Sequence, residues 1–415
     1  MRKVFIFFLS CCALNVFAQD KTAEKFAAGI TPGDLKAKLS VIASAQMEGR
    51  ETSTEGQRRA ATFIENYFKK LKLLPGDSGK YQMTFPVWQD SITSATFTAN
   101  GKDFSLADDF VPSNNVPSGT WKVQDVVFAG RGVKDSTRSD FDSIDVKGKW
   151  VMIAPLSSEQ SPRNLFQKIN LLPKYDAAGL LIISNGFPRK NFKAKGNMYN
   201  TKTTNSSLPV FFISQNLADA ILASHVDSTT TQKDYTTSFN ISINKTTENL
   251  QSTDVIGVLP GTDKKSEYVF VTGHYDHLGK HDSVIYYGAD DDGSGTTSVL
   301  EIAQAFAAAR DKGIRPRRTM VFMTVSGEEK GLWGSKYYTD HPVFQLDSTS
   351  VDLNIDMVGR RDPERTYGDS TNYVYTIGED KLSSDLMHIS DSVNNTYTHL
   401  ELDRKFNDPH DPNRF

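Results

Sequence analysis

Cysteine is almost missing from this chain of 415 residues: it has two, Cys11 and Cys12, adjacent near the N-terminus. Both fall in MRKVFIFFLSCCALNVFAQD, where Arg2 and Lys3 precede a short apolar run and Val16-Phe17-Ala18 precedes Gln19. That is the pattern of a secretory signal cut after Ala18. Without it the mature chain has no thiol, so no disulfide and no cysteine metal ligand; any metal must be held by histidine and carboxylate. A lipoprotein acylated on Cys11 or Cys12 is the alternative for this segment. The run is short for a membrane span and is interrupted by Ser10 and Asn15, and no other stretch is apolar enough to cross a bilayer. Also missing is any basic block of the kind nucleic-acid binders use: the net charge is −3, with both signs spread along the chain. Internal repeats and low-complexity tracts are absent. Length allows two or three domains, each with its own core.

In chain order, Asp34 to Ala45 has helical spacing, with Leu35, Leu39, Ile42 and Ala43 on one face. The linker MEGRETSTEG follows. A second helix is expected from about Ser53 to Leu74, stopped by Pro75-Gly76, with Ala60, Ile64, Tyr67, Phe68 and Leu71 as its apolar face. From about Asp90 to Glu248 short β-rich runs appear between turn clusters: DVVFAG, KWVMIAP, GLLIIS and LPVFFIS, with the helical LFQKINLLPKYDAAG among them. The order of these words resembles a protease-associated domain, a small β-rich module often inserted in secreted peptidases. A structural lid or spacer suffices for it, because its single histidine, His225, has no accompanying cluster of carboxylates. Thr246 to Thr253 reads as a linker into DVIGVLPG, after which β and α patterns alternate as in an α/β sheet with helices on both faces. The expected boundaries are a signal at 1–18, an N-terminal part of the main domain at 19–95, the insert at 96–249 and the rest of the main domain at 250–415.

Chemistry gathers between Val271 and Asp356. Tyr268 to Gly273 reads as a buried strand with His274 and Asp276 at its end. Residues two apart on an extended chain point the same way. Asp276 can therefore accept a hydrogen bond from one imidazole nitrogen while the other binds metal, which fixes the tautomer. His277 has no comparable partner in the motif and reads as structural. In GADDDGSG, three successive aspartates repel one another, and a cation is the reason to gather them. Gly293 and Gly295 let the backbone turn tightly there. The following helix buries Val299, Ile302, Ala303 and Phe306, and Ser298 with Glu301 are spaced for a capping box. Thr319 to Ser326 is another core strand, ending in Gly327-Glu328-Glu329. Adjacent side chains diverge, so one glutamate can ligate metal and the other, unligated, can serve as general base. Val351 to Asp356 reads as a fourth strand, closed by a buried Asp356 that needs a partner. Taken singly, these pieces have plainer explanations: a satisfied histidine, an acidic turn, an exposed glutamate pair. Four such strand ends meeting at one point make a site for two zinc ions, with one carboxylate bridging them.

Together, VTGHYDHLG, GADDDGSGTTSVLEIAQAF, TMVFMTVSGEEKGLWGS and VDLNIDM resemble the zinc aminopeptidase family that also includes glutamate carboxypeptidases and glutaminyl cyclases. The resemblance covers about Val255 to Arg360, with MEGRETSTEG and its helix as supporting matches. It implies an α/β zinc exopeptidase fold, a mixed central sheet flanked by helices, with the β-rich module inserted. It implies further that His274 and Asp356 hold one zinc, Asp291 bridges both, Glu329 holds the second, Glu328 is the general base and Asp276 orients His274. A cis peptide between Asp291 and Asp292 comes with the same resemblance. The implied activity is that of a secreted exopeptidase with peptide substrates, an aminopeptidase foremost. A carboxypeptidase remains open because Arg360 and Arg361 lie near in sequence. A one-zinc glutaminyl cyclase of the same fold and a non-catalytic receptor-like scaffold remain open as well.

One piece of the family pattern is not found. Its second zinc takes a further histidine, well after the last aspartate, on another strand-and-loop unit. The candidates are His388 in the helical EDKLSSDLMHISDSV, His399 in the strand-like YTHLEL, and His410 in NDPHDPNRF. The expectation is that this ligand lies beyond Phe415 and that the second zinc site is incomplete here, with His410 as the alternative.

Overall fold

The computed structural model describes residues 20–201 and 208–411. The segment read as a signal, with Cys11 and Cys12, lies outside the described residues. The chain divides into two compact units, one comprising residues up to Phe85 and from Ser252 onward, the other Pro86–Gln251.

The first unit is built on a mixed sheet. Strand Lys264–His274 lies parallel to Arg318–Val325 on one side and to Thr349–Asn354 on the other. Val255–Leu259, the end of strand Lys233–Leu259, runs antiparallel to Met320–Thr324, and Leu74–Pro75 pairs with Gly257 and Val258. Side chains alternate between the two faces, as the pleat requires. Val255, Leu259, Val271, Met320 and Phe322 face helices Pro32–Ile42, Glu55–Lys70 and Gly295–Asp311, whose Ile42, Ala60, Ile64, Phe68, Val299, Leu300 and Ala303 complete that core. Ile256, Val258, Phe270, Val321, Met323 and Val325 pack on the other face with Met83 and Tyr338 of helix Trp333–Asp340. Thr54 caps Glu55–Lys70 by accepting from Gln57 N. The three parallel strands bring their C-terminal ends to one edge of the sheet: His274 pairs in register with Val325, and Thr272 with Asn354. Open α/β sheets place their sites at that edge.

Several elements differ from expectation. The second helix starts at Glu55 and ends at Lys70, because Leu71 caps it and Lys72 turns left-handed. Thr246 to Thr253 is strand rather than linker, lying inside Lys233–Leu259; its Thr, Asn and Gln residues suit an exposed edge as well as a loop. No capping box forms at Ser298, whose hydroxyl donates to Ser294 O within a helix that starts at Gly295. YTHLEL yields only the short strand Glu401–Asp403, paired in parallel with Tyr373–Tyr375.

In the second unit, Gly119–Phe128, Trp150–Ile153, Gly179–Ile183 and Val210–Ile213 lie side by side in that order, each parallel to the next. Residues of Lys233–Ile243 run antiparallel to Gly119–Phe128, and Phe110–Pro112 antiparallel to Val210–Ile213. Phe97, Phe110, Trp150, Phe211 and Phe239 fill one core, and Val127, Val151, Leu180 and Ile182 the other. This unit starts at Pro86, ahead of the expected 96. Among the described residues, no helix is long and apolar enough to cross a membrane.

Phe68 is fully buried against Ile42, Val255 and the backbone of Gly257. Phe68→Ala is expected to destabilise the first unit by about 3–5 kcal/mol, read as an earlier urea transition by circular dichroism. A shift below about 1 kcal/mol would mean the helix does not depend on this contact.

Candidate metal centre

His274, the last residue of its strand, is held at both backbone groups: its N–H donates to Asp292 Oδ2 at 3.1 Å, and its carbonyl accepts from Thr296 Oγ1 at 2.6 Å. Its ring Nδ1 lies 3.1 Å from the backbone carbonyl of Asp276 and 3.7 Å from that residue's carboxylate. The carbonyl, rather than the expected carboxylate, is thus the hydrogen-bonding partner. The Asp276 carboxylate is spent elsewhere: Oδ2 accepts from Thr52 Oγ1 at 2.8 Å and Oδ1 from Glu328 N at 3.2 Å. His274 Nε2 is buried without a hydrogen-bond partner and lies 3.1 Å from Asp291 Oδ1, 3.8 Å from Asp356 Oδ1 and 3.9 Å from Glu328 Oε2.

The three aspartates have separate tasks. Asp292 is buried and ties three segments together, accepting from His274 N, from Gly295 N at 2.8 Å and from Met357 N at 3.2 Å. Gly295 is required by space: a Cβ there would stand 2.1 Å from Ile355 O and 2.4 Å from the Asp292 carboxylate. Asp290 accepts from Gly359 N at 2.9 Å and is paired with Arg360 Nε at 2.7 Å. Asp291 alone is left to face the histidines. The peptide joining Asp291 to Asp292 is cis, as the resemblance implies.

Ligand atoms converge in two groups, His274 with Asp291 and Asp356, and His277 with Asp291 and Glu329; within each group they lie within 4.8 Å of one another. Asp291 belongs to both. His277 reads as structural in the sequence and instead stands with its Nδ1 2.6 Å from Glu329 Oε1, neither atom having a hydrogen-bond partner. The signal that could have found it is its place beyond the strand end, where the alternation that pairs His274 with Asp276 no longer governs direction. Asp356 follows the strand end at Asn354 and is half-exposed rather than buried, because among the described residues its strand is an edge of the sheet. Among the described residues, His388, His399 and His410 join neither group.

Electrostatics suit a cation. Burial raises the carboxyl of Glu328, with Asp276, Glu329 and Asp356 adding to it against the opposing charge of His274. Burial, then Asp291, raises Glu329 likewise. Burial lowers the His277 imidazole toward the neutral form that ligates metal. Unpartnered buried nitrogen and oxygen atoms aimed at common points are the donor set zinc accepts. Beside His274, Glu328 and Asp356 opens a recess of about 380 Å³, walled by Phe270, Met323 and Tyr338.

Residues 254–411 match Peptidase family M28. This segment is thus similar to that peptidase family. The chain is 27% identical over 314 residues to "Aminopeptidase YwaD" of Bacillus subtilis (strain 168), covering 75% of this chain and 58% of that protein. It is 36% identical over 104 residues to "Probable glutamate carboxypeptidase LAMP1" of Arabidopsis thaliana, 25% of this chain and 14% of that one. The chain therefore spans less than two thirds of either relative. Among solved structures, the aminopeptidase from Aneurinibacillus sp. strain AM-1 superposes with a TM-score of 0.52 at 18% identity, over 91% of this chain and 81% of that one, a likeness of fold.

Near this cluster, Asp254 is wholly buried; its Oδ1 accepts from Ser326 N at 2.9 Å and its Oδ2 has no hydrogen-bond partner among the described residues. Burial holds this carboxyl well above the usual range, against the Ser326 hydrogen bond and with help from the Asp276 charge. The folded chain thus keeps a proton that the unfolded chain loses near about pH 3.9, so Asp254 lowers stability as pH rises from there toward its folded pKa. Asp254→Asn has no such titration. Calorimetry of the metal-free chain is expected to show the variant melting a few degrees higher at pH 8, with the gap closing toward pH 4. A gap independent of pH would assign the difference to packing instead.

Proposed function

We propose that the chain is a two-zinc exopeptidase that removes N-terminal residues from peptides. The observation that carries this is the position of Asp291 in both ligand groups, where a carboxylate shared between two cations belongs. His274, Asp291 and Asp356 would hold one ion, and Asp291, Glu329 and His277 the other. When bound, zinc supplies Lewis acidity toward a peptide carbonyl and toward water. Glu328 belongs to neither group yet reaches to 3.9 Å from His274 Nε2. Its raised pKa suits a base that takes a proton from the attacking water and delivers it to the leaving amine as the C–N bond breaks. Asp276 positions both partners, since its carbonyl faces the His274 ring and its carboxylate accepts from the Glu328 backbone. The recess beside them has the size of a small-ligand pocket and receives the peptide end. The signal-like start supports an extracytoplasmic setting for this work.

Two observations favour the amino end. One is the likeness to a named aminopeptidase over 75% of the chain. The other is that Arg360, one of the two arginines near Asp356 in sequence, is engaged by Asp290. The second ligand group speaks against a one-zinc cyclase, and the presence of the base and of every expected ligand up to Asp356 against a non-catalytic scaffold.

Hydrolysis of leucine p-nitroanilide, lost on chelation and restored by zinc, is the expected result, with no cleavage of an N-blocked peptide. Glu328→Gln should keep its zinc and lose about 10²–10⁴-fold in kcat. Full activity in that variant, or a chain that takes up no zinc, sinks the proposal. His277→Ala is expected to lose the second zinc while keeping the first, measured by metal analysis under limiting zinc. Unchanged stoichiometry would remove His277 from the ligand set.

A further inference from the structure

We propose that Arg50 and Thr52, in the turn before helix Glu55–Lys70, are positioning residues that lock the two ligand-bearing segments of the zinc centre together. This rests on the reading of the centre as a zinc site. Both residues are fully buried. The Arg50 guanidinium spends its donors on main-chain carbonyls: Nε on Tyr275 O at 2.6 Å, Nη1 on Ile42 O at 2.7 Å and Tyr287 O at 2.8 Å, and Nη2 on Gly288 O at 2.8 Å. Tyr275 sits between His274 and Asp276, while Tyr287 and Gly288 lead directly into the acidic loop that carries Asp291. One planar group therefore grips the chain on both sides of the centre. Thr52 adds the second hold by donating to Asp276 Oδ2 at 2.8 Å.

The backbone is shaped for this. Glu48, Gly49 and Arg50 all take left-handed conformations, with φ of 50°, 68° and 55°. For the two residues other than glycine that is unfavourable by about 1–2 kcal/mol each, and surrounding contacts must hold it. Gly49 permits the close approach: a Cβ there would stand 2.4 Å from both Gly279 O and Tyr286 O. The turn is thus pressed against the paired residues Gly279 and Tyr286 of the hairpin formed by Gly279–His281 and Val284–Tyr286. Arg50 also places a buried positive charge among Asp276, Asp291, Asp292 and Glu329. An ammonium would supply the charge but not the planar fork that reaches four carbonyls. Lysine at this position therefore separates geometry from charge.

The test uses the full chain with Zn²⁺ in competition with a chromophoric chelator, the visible spectrum of the Co²⁺-loaded chain, and the melting temperature without metal. Thr52→Val is expected to melt near wild type yet bind zinc about 10–100-fold more weakly, the effect of losing a hydrogen bond behind a metal ligand, with an altered cobalt spectrum. Arg50→Lys is expected to lose at least as much affinity despite keeping the charge. Wild-type zinc affinity and cobalt spectra in Thr52→Val would overturn the inference, whether or not Arg50→Lys folds. A purely structural role would lower melting temperature alone. A wild-type chain that binds neither metal would overturn the zinc reading itself, and this inference with it.

Discussion

Repulsion among carboxylates crowded at one edge of a sheet is the constraint around which the first unit is built. Asp276, Asp290, Asp291, Asp292, Glu328, Glu329 and Asp356 all collect where the parallel strands end. Like charges in a partly buried place disfavour ionisation and push the segments apart. The fold answers by dividing the set. Asp292, Asp290 and Asp276 are tied down by backbone N–H groups, a threonine hydroxyl and one arginine, and every tie but the local one from Gly295 N joins segments apart in sequence. Asp291, Glu328, Glu329 and Asp356 are left with the histidines. The first three carboxylates hold the loops, and the other four are the ones proposed to meet a cation and to transfer a proton.

How much of this is legible in sequence follows from how local each signal is. Strand-ending runs such as Tyr268 to Gly273 and Thr319 to Ser326 carry unbroken apolar stretches, and the structure has strands there, within a mixed sheet flanked by helices. His274, Asp291, Glu329 and Asp356 lie together because parallel strands deliver their ends to one edge, which the alternation of β and α segments already implies. Sequence pattern misleads where direction is set by tertiary contact. His277 leaves the strand and turns toward Glu329. The Asp276 carboxylate serves Thr52 and the Glu328 backbone rather than the imidazole, because its own carbonyl is nearer the ring. Asp356 is half-exposed, since among the described residues Thr349–Asn354 has a strand neighbour on one side only. None of these is written in the spacing of residues.

The turn Glu48 to Thr52 shows a different limit. Polar, glycine-containing and without periodicity, it reads as a linker, yet Arg50 and Thr52 are among the most buried residues of the chain. Propensity describes what a segment does alone. A left-handed turn pressed into a core is decided by the partners that accept its hydrogen bonds, here carbonyls more than two hundred residues away. The second unit presents the reverse case: its strand-forming runs, KWVMIAP, GLLIIS and LPVFFIS, are legible in the sequence, and its chemistry is sparse.

Asp276 couples the parts of the centre more closely than the ligands alone convey. Its carbonyl faces the ring of His274, and its carboxylate accepts from the backbone of Glu328. A shift of this one residue would move His274 and Glu328, the proposed ligand and the proposed base, together. The nitrogen that would bind zinc and the oxygen that would receive the proton are 3.9 Å apart, and proton transfer tolerates little change in such a distance. Arg50 and Thr52 act on this same residue from behind, one on the carbonyl before it and one on its carboxylate. Rigidity at this point therefore originates outside the motif that carries the chemistry, in the first turn of sequence that packs beneath it.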